Sequence, residues 1–280
     1  SSDVCSSDLC GQHWLTCHGE VVPSAAELKT VIEFSHRITS FLAFVSVLAL
    51  LIWAFRKFEK GSPIRKTALL SFVFVVTEAL VGAGLVLTGN TAETLTAARP
   101  FWMSGHLINT FVLLAFLTLT ARYAAGGRRF RIRTGPRSGL VTLGAAAAIF
   151  IGITGSIAAL ASMLFPSETL SAGLAADLSP TSNILLRLRL LHPISAIAGG
   201  VGLILLTGWL ARESDDPLAK RWSNAVSLLV LVQIAFGAAT LLMLAPIVMQ
   251  LGHLLLADAI WIAYVLFAAE FFASRQASPS

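Results

Sequence analysis

Seven stretches of this chain are apolar over the length of a membrane crossing: near 31–55, 68–88, 101–122, 139–162, 184–210, 222–244 and 246–270, spans a to g. Crossing about 30 Å of hydrocarbon takes roughly 20 helical residues. None of the seven alternates apolar and polar residues as a barrel strand does, so helices are the backbone solution that lipid allows. Of 280 residues 56% are hydrophobic and 12% charged, about half the ~25% charge of a soluble domain. The reading is an all-α polytopic membrane protein.

The net charge of +5 raises the question of a nucleic-acid partner, and the placement of the charges answers it. Arg56, Lys57, Lys60, Arg65 and Lys66 lie between spans a and b. Arg122, Arg128, Arg129, Arg131, Arg133 and Arg137 lie between c and d, Arg212, Lys220 and Arg221 between e and f, and Arg275 after g. These are 15 of the 20 lysines and arginines, all on one face, and the opposite connections are nearly free of them. Positive charge marks the cytoplasmic side, so residues 10–30 are expected outside and the C-terminus inside. The basic residues are topology signals, and no nucleic-acid role is expected.

The chain repeats itself. Thr77-Glu78-Ala79-Leu80-Val81-Gly82 in span b resembles Val232-Gln233-Ile234-Ala235-Phe236-Gly237 in span f at an offset of 155 residues. His36 matches His192 at 156, and Gly105-His106-Leu107 matches Gly252-His253-Leu254 at 147, the difference being a shorter f–g loop. Spans a, b, c thus pair with e, f, g, and the partner of span d is expected before Cys10. That position holds the near-duplicated polar run Ser1-Ser2-Asp3-Val4-Cys5-Ser6-Ser7-Asp8-Leu9, read as a foreign stub replacing a lost helix; a natural seven-span variant is the alternative. The expected segments are 1–9 stub, 10–30 outer loop, 31–122 N-terminal half, 123–138 basic cytoplasmic linker, 139–270 C-terminal half and 271–280 tail.

All six histidines (13, 18, 36, 106, 192 and 253) avoid the basic side. His36, His106, His192 and His253 each sit one to two turns inside the outer boundary, about 7–12 Å deep at ~1.5 Å per residue. A single histidine in a span is ordinarily a hydrogen-bonded core residue, but four at one depth, related by a repeat, are a functional signal. Neutral imidazole suits zinc, copper and iron. Two facing histidines per half, without a cysteine or carboxylate cluster, suit bis-imidazole haem ligation better than a tetrahedral zinc site. The sequence has no Cys-x-x-Cys-His, so the haem would be held without covalent attachment.

The halves differ beside the histidines. Glu33 precedes His36 by three residues and Arg189 precedes His192 by three; residues three apart on a helix share a face, so each is expected beside its own histidine. Arg189 is suited to clamp a haem propionate, as are Arg37, Arg99 and Arg187, with interface anchoring as the other reading. A carboxylate at the membrane edge points to proton transfer, so the Glu33 half is read as reactive; the alternative is a plain Glu33–Arg37 pair. Cys10 and Cys17 precede span a on the oxidising side and are read as structural or redox-active. Glu78 and Asp258 are also intramembrane; Glu78 matches neutral Gln233, which favours helix packing over catalysis.

At these residues the chain resembles the haem A synthase family. Cys17-His18-Gly19-Glu20-Val21-Val22-Pro23 resembles that family's Cys-x-Gly-x-x-x-Pro segment, with Cys10 ahead of it. Glu33-Phe34-Ser35-His36-Arg37 resembles its Glu-x-x-His-Arg motif, and Gly105-His106, His192-Pro193 and Gly252-His253 supply the other ligand positions. Leu160-Ala161-Ser162-Met163-Leu164-Phe165-Pro166 is also similar, and the likeness runs from Cys10 to about Glu270. The resemblance implies two pseudo-twofold-related four-helix bundles, the first lacking its first helix here. It implies conversion of the C8 methyl of haem O to the formyl of haem A by two hydroxylations and loss of water. It further implies haem b on His192 and His253, substrate haem flanked by His36 and His106, catalytic help from Glu33, and a Cys10–Cys17 disulfide. Expected partners are haem O, a haem O synthase, oxidase-assembly factors and lipid, with a homo-oligomer also compatible, in a bacterial plasma membrane. The rival class is a di-haem b electron carrier; a transporter built on parallel repeats ranks below it. The missing helix removes one wall of the substrate pocket and bears on the activity of this chain.

Overall fold

The computed structural model describes residues 28–90, 96–132 and 134–277, with the side chains of 28–30 and 275–277 left aside. The stub, the outer loop with Cys10, Cys17, His13 and His18, and the disulfide expectation lie outside the described residues. Those described form α1 (Leu28–Lys57), α2 (Pro63–Leu87), α3 (Arg99–Ala124), α4 (Pro136–Leu164), α5 (Leu170–Leu178), α6 (Ile184–Arg189), α7 (Leu191–Arg212), α8 (Pro217–Leu242) and α9 (Ile247–Ala277), with no strand among them. Seven helical segments are long and apolar enough to cross a membrane, α6 and α7 together making one. The protein is an all-α, multi-pass membrane protein.

Local chemistry sets the ends. Proline opens α2, α3, α4 and α8, where its missing N–H costs nothing. Ser62, Thr169, Asn183 and Asp216 accept from backbone amides as N-caps. The repeat extends to the caps. α2 closes with Gly89 N–H to Val86 O (3.1 Å) and Asn90 N–H to Leu85 O (2.9 Å), the double bond of a Schellman end. α8 closes alike, Leu244 N–H to Leu241 O (3.0 Å) and Ala245 N–H to Thr240 O (2.8 Å), 155 residues on. The left-handed position is Gly89 in the first copy (φ 66°) but Leu244 in the second (φ 61°).

Two features depart from the sequence reading. The connection after span d contains a helix, α5, whose Leu170, Leu174 and Leu178 are exposed at four-residue intervals, the stripe of a helix lying along an interface. Span e is broken at Leu190 into α6 and α7. Pro193 causes the break: it has no N–H for the carbonyl of Arg189, and its ring crowds that carbonyl.

α1 packs on α2 and α2 on α3, as α7 packs on α8 and α8 on α9; α4 lies against α6, α7 and α3. The three-helix set and the rest meet mainly where α3 packs on α9 and α4. α9 is the central post, with Trp261, Tyr264, Phe267 and Phe271 buried along one face. Trp261 stacks on Phe111 at 5.0 Å and donates Nε1–H to the Phe111 carbonyl at 2.6 Å. The Tyr264 hydroxyl donates to the Val141 carbonyl at 2.5 Å. Gly144 permits this approach of α4, since a Cβ there would come 3.0 Å from the Tyr264 ring.

Several arginines read as topology charges also hold partners. Arg122 binds Glu270 through Nε and a terminal nitrogen (2.8 and 2.9 Å), and Arg137 binds Glu213 at 2.5 Å. Arg128 pairs with Asp216. The charges that orient the chain thus also tie the basic ends of the helices together.

Candidate functional site

The four intramembrane histidines fall eight, seven, eight and six residues after the starts of α1, α3, α6 and α9. That places them in one layer, and the fold brings them together as two pairs.

The second pair is His192 on α7 and His253 on α9, with ring centroids 6.0 Å apart and planes at 89°. Two metal–imidazole bonds of ~2 Å plus the half-width of each ring give a separation of about this size. His192 Nδ1 lies 3.3 Å from the Thr154 hydroxyl, which donates to the Ile151 carbonyl at 2.9 Å. Thr154 Oγ1 also lies 3.0 Å from the Ser195 hydroxyl; a Thr154 hydrogen given to Ile151 leaves its oxygen to accept from Nδ1–H, the tautomer that frees Nε2 for a metal. His253 stacks on Phe236 at 6.3 Å and 14°. Its Nδ1 is buried with no hydrogen-bond partner, while its carbonyl accepts from Gln233 Nε2 at 2.9 Å.

Each ring of this pair lies on a glycine of a neighbouring helix. A Cβ on Gly155 would come 3.0 Å from His192 Cε1, and one on Gly237 2.8 Å from His253 Cε1. At Gly82, the repeat partner of Gly237, the nearest atom is His106 Cε1 at 4.0 Å. The second pair is therefore wedged and the first is not.

The first pair is His36 on α1 and His106 on α3. His36 is exposed and within electrostatic reach of His106, Glu33, Glu78 and Arg37. Glu33 is ion-paired with Arg37, one turn on, so the plain pairing exists beside His36. The His106 side chain is 29% exposed, yet its Nδ1 is buried, 3.4 Å from Glu78 Oε1. Glu78 also accepts from Asn109 Nδ2 at 2.6 Å and from the Thr110 hydroxyl, so it does pack α2 on α3 as read from the sequence. Its approach to His106 was not legible there. Between α2 and α3 opens an apolar cavity of about 510 Å³ lined by Phe74, Val81, Phe101, Trp102, Gly105 and Asn109, with neither His36 nor His106 in its lining.

Arg189 lies elsewhere than the sequence implied. On α6, across the Leu190 break from His192, it donates through Nε to both oxygens of Asp177 (2.9 and 3.1 Å) and through a terminal nitrogen to the Gly173 carbonyl at 3.3 Å. Arg187 is exposed, Arg99 is buried and Asp258 is half-buried on α9.

Among the described residues no three His, Cys, Asp or Glu side chains group as a metal-ion site. The histidines come in twos, the donor set of a metal whose other positions are filled by a macrocycle. The wedged rings and their separation fit haem at His192 and His253.

The family model of the cytochrome oxidase assembly protein, COX15-CtaA, matches residues 9–265. The chain is 44% identical over 262 residues to a protoheme IX farnesyltransferase of Thermus thermophilus, a match covering 93% of this chain and 43% of that one. It is 38% identical over 112 residues to a heme A synthase of Halalkalibacterium halodurans (40% and 37% of the two chains). It is 41% identical over 90 residues to a heme A synthase of Bacillus mycoides (32% and 29%). These matches span less than half the length of each relative. No solved structure matches.

Proposed function

From the chain's membership of the cytochrome oxidase assembly protein family, with heme A synthases among its relatives, we propose that it is a haem A synthase. The reaction would convert the C8 methyl of haem O to a formyl group: two hydroxylations give a gem-diol, which loses water to leave haem A.

The observation that carries this reading is that one repeat builds its histidine pair twice in different surroundings. His192 and His253 are wedged on Gly155 and Gly237, as suits a resident haem b. His36 is exposed, a Cβ on Gly82 would stay 4.0 Å from the His106 ring, and both histidines have carboxylates, Glu33 and Glu78, within reach, as suits a substrate that enters and leaves. A carrier with two permanent haems has no need of that difference.

When bound, haem b supplies one-electron redox chemistry. The chain's own residues hold and orient. The Thr154 hydroxyl stands at His192 Nδ1 and orients the ring, and Glu33 stands beside His36, where a carboxylate can take protons released as the methyl is oxidised or stabilise a developing cation at the ring. The Glu33–Arg37 pair keeps that carboxylate on the side of α1 that carries the histidine. Arg37 is retained as a propionate contact; Arg189, held by Asp177, reaches a propionate only by sharing its guanidinium. A disulfide of Cys10 and Cys17 in the loop preceding α1 belongs to the same reading.

In this reading the protein sits in a bacterial plasma membrane with its C-terminus in the cytoplasm and the histidine layer toward the outer face, which the basic connections support. The substrate carries a farnesyl-derived tail, so a farnesyl transfer to protohaem must precede this step; the Thermus relative bears the name of such a transferase. A haem O synthase and oxidase-assembly factors are the partners this implies.

The test is extraction and chromatography of haems from the protein purified from cells that make haem O. Haem b with haem O, its alcohol or haem A supports a synthase. Two equivalents of haem b alone mean an electron carrier.

A further inference from the structure

We propose that Glu78 is the positioning residue of the His106 imidazole, and that the change from Glu78 to Gln233 between the repeats makes the two haem sites electronically unequal. This rests on the reading of His106 as a haem-iron ligand.

The carboxylate is held from two sides. Oε2 accepts from Asn109 Nδ2 at 2.6 Å and Oε1 accepts from the Thr110 hydroxyl. Asn109 is itself fixed, donating to the Phe74 carbonyl at 2.9 Å and accepting from Thr77 at 2.7 Å. In that setting Oε1 lies 3.4 Å from His106 Nδ1, a buried nitrogen with no hydrogen-bond partner. A small rotation of the ring makes this a hydrogen bond, and Nε2 is then the nitrogen left for iron. A ligating histidine whose other N–H meets a carboxylate is fixed in orientation and made a stronger donor.

The second half lacks this device at the same register. Gln233 replaces the carboxylate with a neutral amide and spends its N–H₂ on the His253 backbone carbonyl. Its Oε1 and the His253 Nδ1 both remain without hydrogen-bond partners. His253 is oriented by packing, between Phe236 and Gly237, where His106 is oriented by charge. A stronger imidazole donor favours oxidised iron, so the first site is set to the lower potential.

The test titrates protohaem into the detergent-purified chain and follows both sites by spectroelectrochemistry, with His106→Ala identifying the first. Glu78→Gln is expected to raise the potential of the first site alone and weaken protohaem there roughly 10–100-fold, with Glu78→Asp recovering part of both. An unchanged first-site potential in folded Glu78→Gln overturns the proposal and leaves Glu78 a helix-packing residue. Should Glu78→Gln not fold, Gln233→Glu decides: a lowered second-site potential supports the proposal, an unchanged one overturns it. Both signals surviving His106→Ala would instead overturn the ligand reading on which it stands.

Discussion

Arg122, at the end of α3, and Glu270, near the end of α9, join 148 residues apart through two parallel hydrogen bonds of 2.8 and 2.9 Å. Their side chains are 3% and 6% exposed, and Arg122 also donates to the Arg128 carbonyl at 2.7 Å. The pair lies on the basic side, where α3 of the first repeat meets α9 of the second, below the Phe111–Trp261 stack.

Removing one partner leaves the other charge buried and uncompensated, which costs about 3–5 kcal/mol. Glu270→Ala is therefore expected to lower the thermal transition of the detergent-solubilised protein substantially. Exchanging the charges, Arg122→Glu with Glu270→Arg, should recover part of the loss. A transition unmoved by Glu270→Ala would show that the Phe111–Trp261 contact alone holds α3 on α9.

The wedging of His192 and His253 predicts an asymmetry among three similar substitutions. Gly155→Ala and Gly237→Ala put a methyl 3.0 and 2.8 Å from an imidazole carbon, whereas Gly82→Ala meets His106 only at 4.0 Å. Overpacking of this kind costs about 1–3 kcal/mol. If it falls on ligation, haem b affinity drops roughly 5- to 150-fold in the first two variants and is retained in the third. Protohaem titration followed at the Soret band checks this; equal affinity in all three would mean the rings move aside freely.

The four histidines were legible because an ionisable ring is conspicuous in an apolar run, and the repeat fixed their pairing. The matched caps of α2 and α8 show that the same repeat governs the backbone. What the sequence hid is information about neighbours. A glycine in an apolar helix looks like any small residue until the facing helix is placed, so the roles of Gly155 and Gly237 were invisible. Glu78 was read through its match to Gln233, yet the two residues spend their side chains on different atoms of their histidines. Arg189 was placed beside His192 on the assumption of an unbroken helix. Pro193, four residues after Arg189, held the signal that the helix stops there.

The cap of α8 is strained where that of α2 is not. Leu244 adopts φ 61° and Ala245 φ 54°, a left-handed conformation that costs an L-residue with a Cβ about 1–2 kcal/mol. Leu244 is 43% exposed, so little packing is lost on truncation. Leu244→Gly, which restores the residue of the first repeat, is expected to stabilise the protein by about 1 kcal/mol. Chemical denaturation of the two proteins side by side measures it, and a destabilised variant would show that the Leu244 side chain contributes more than its backbone costs.

Glu33 provides the sharpest separation of binding from chemistry. It lies on α1, three residues before His36 and paired with Arg37, whereas His192 and His253 sit on α7 and α9, helices with which α1 has no substantial packing. Glu33→Ala is therefore expected to leave haem b at the second pair untouched, with its spectrum and stoichiometry unchanged, while conversion of haem O to haem A collapses. His192→Ala should do the reverse to the cofactor and strip the resident haem. The two variants, assayed together by haem extraction, give opposite patterns if the halves divide the work as proposed. Retained haem A formation in Glu33→Ala would remove the carboxylate from the reaction. It would leave the Glu33–Arg37 pair as an anchor of α1 at the membrane edge.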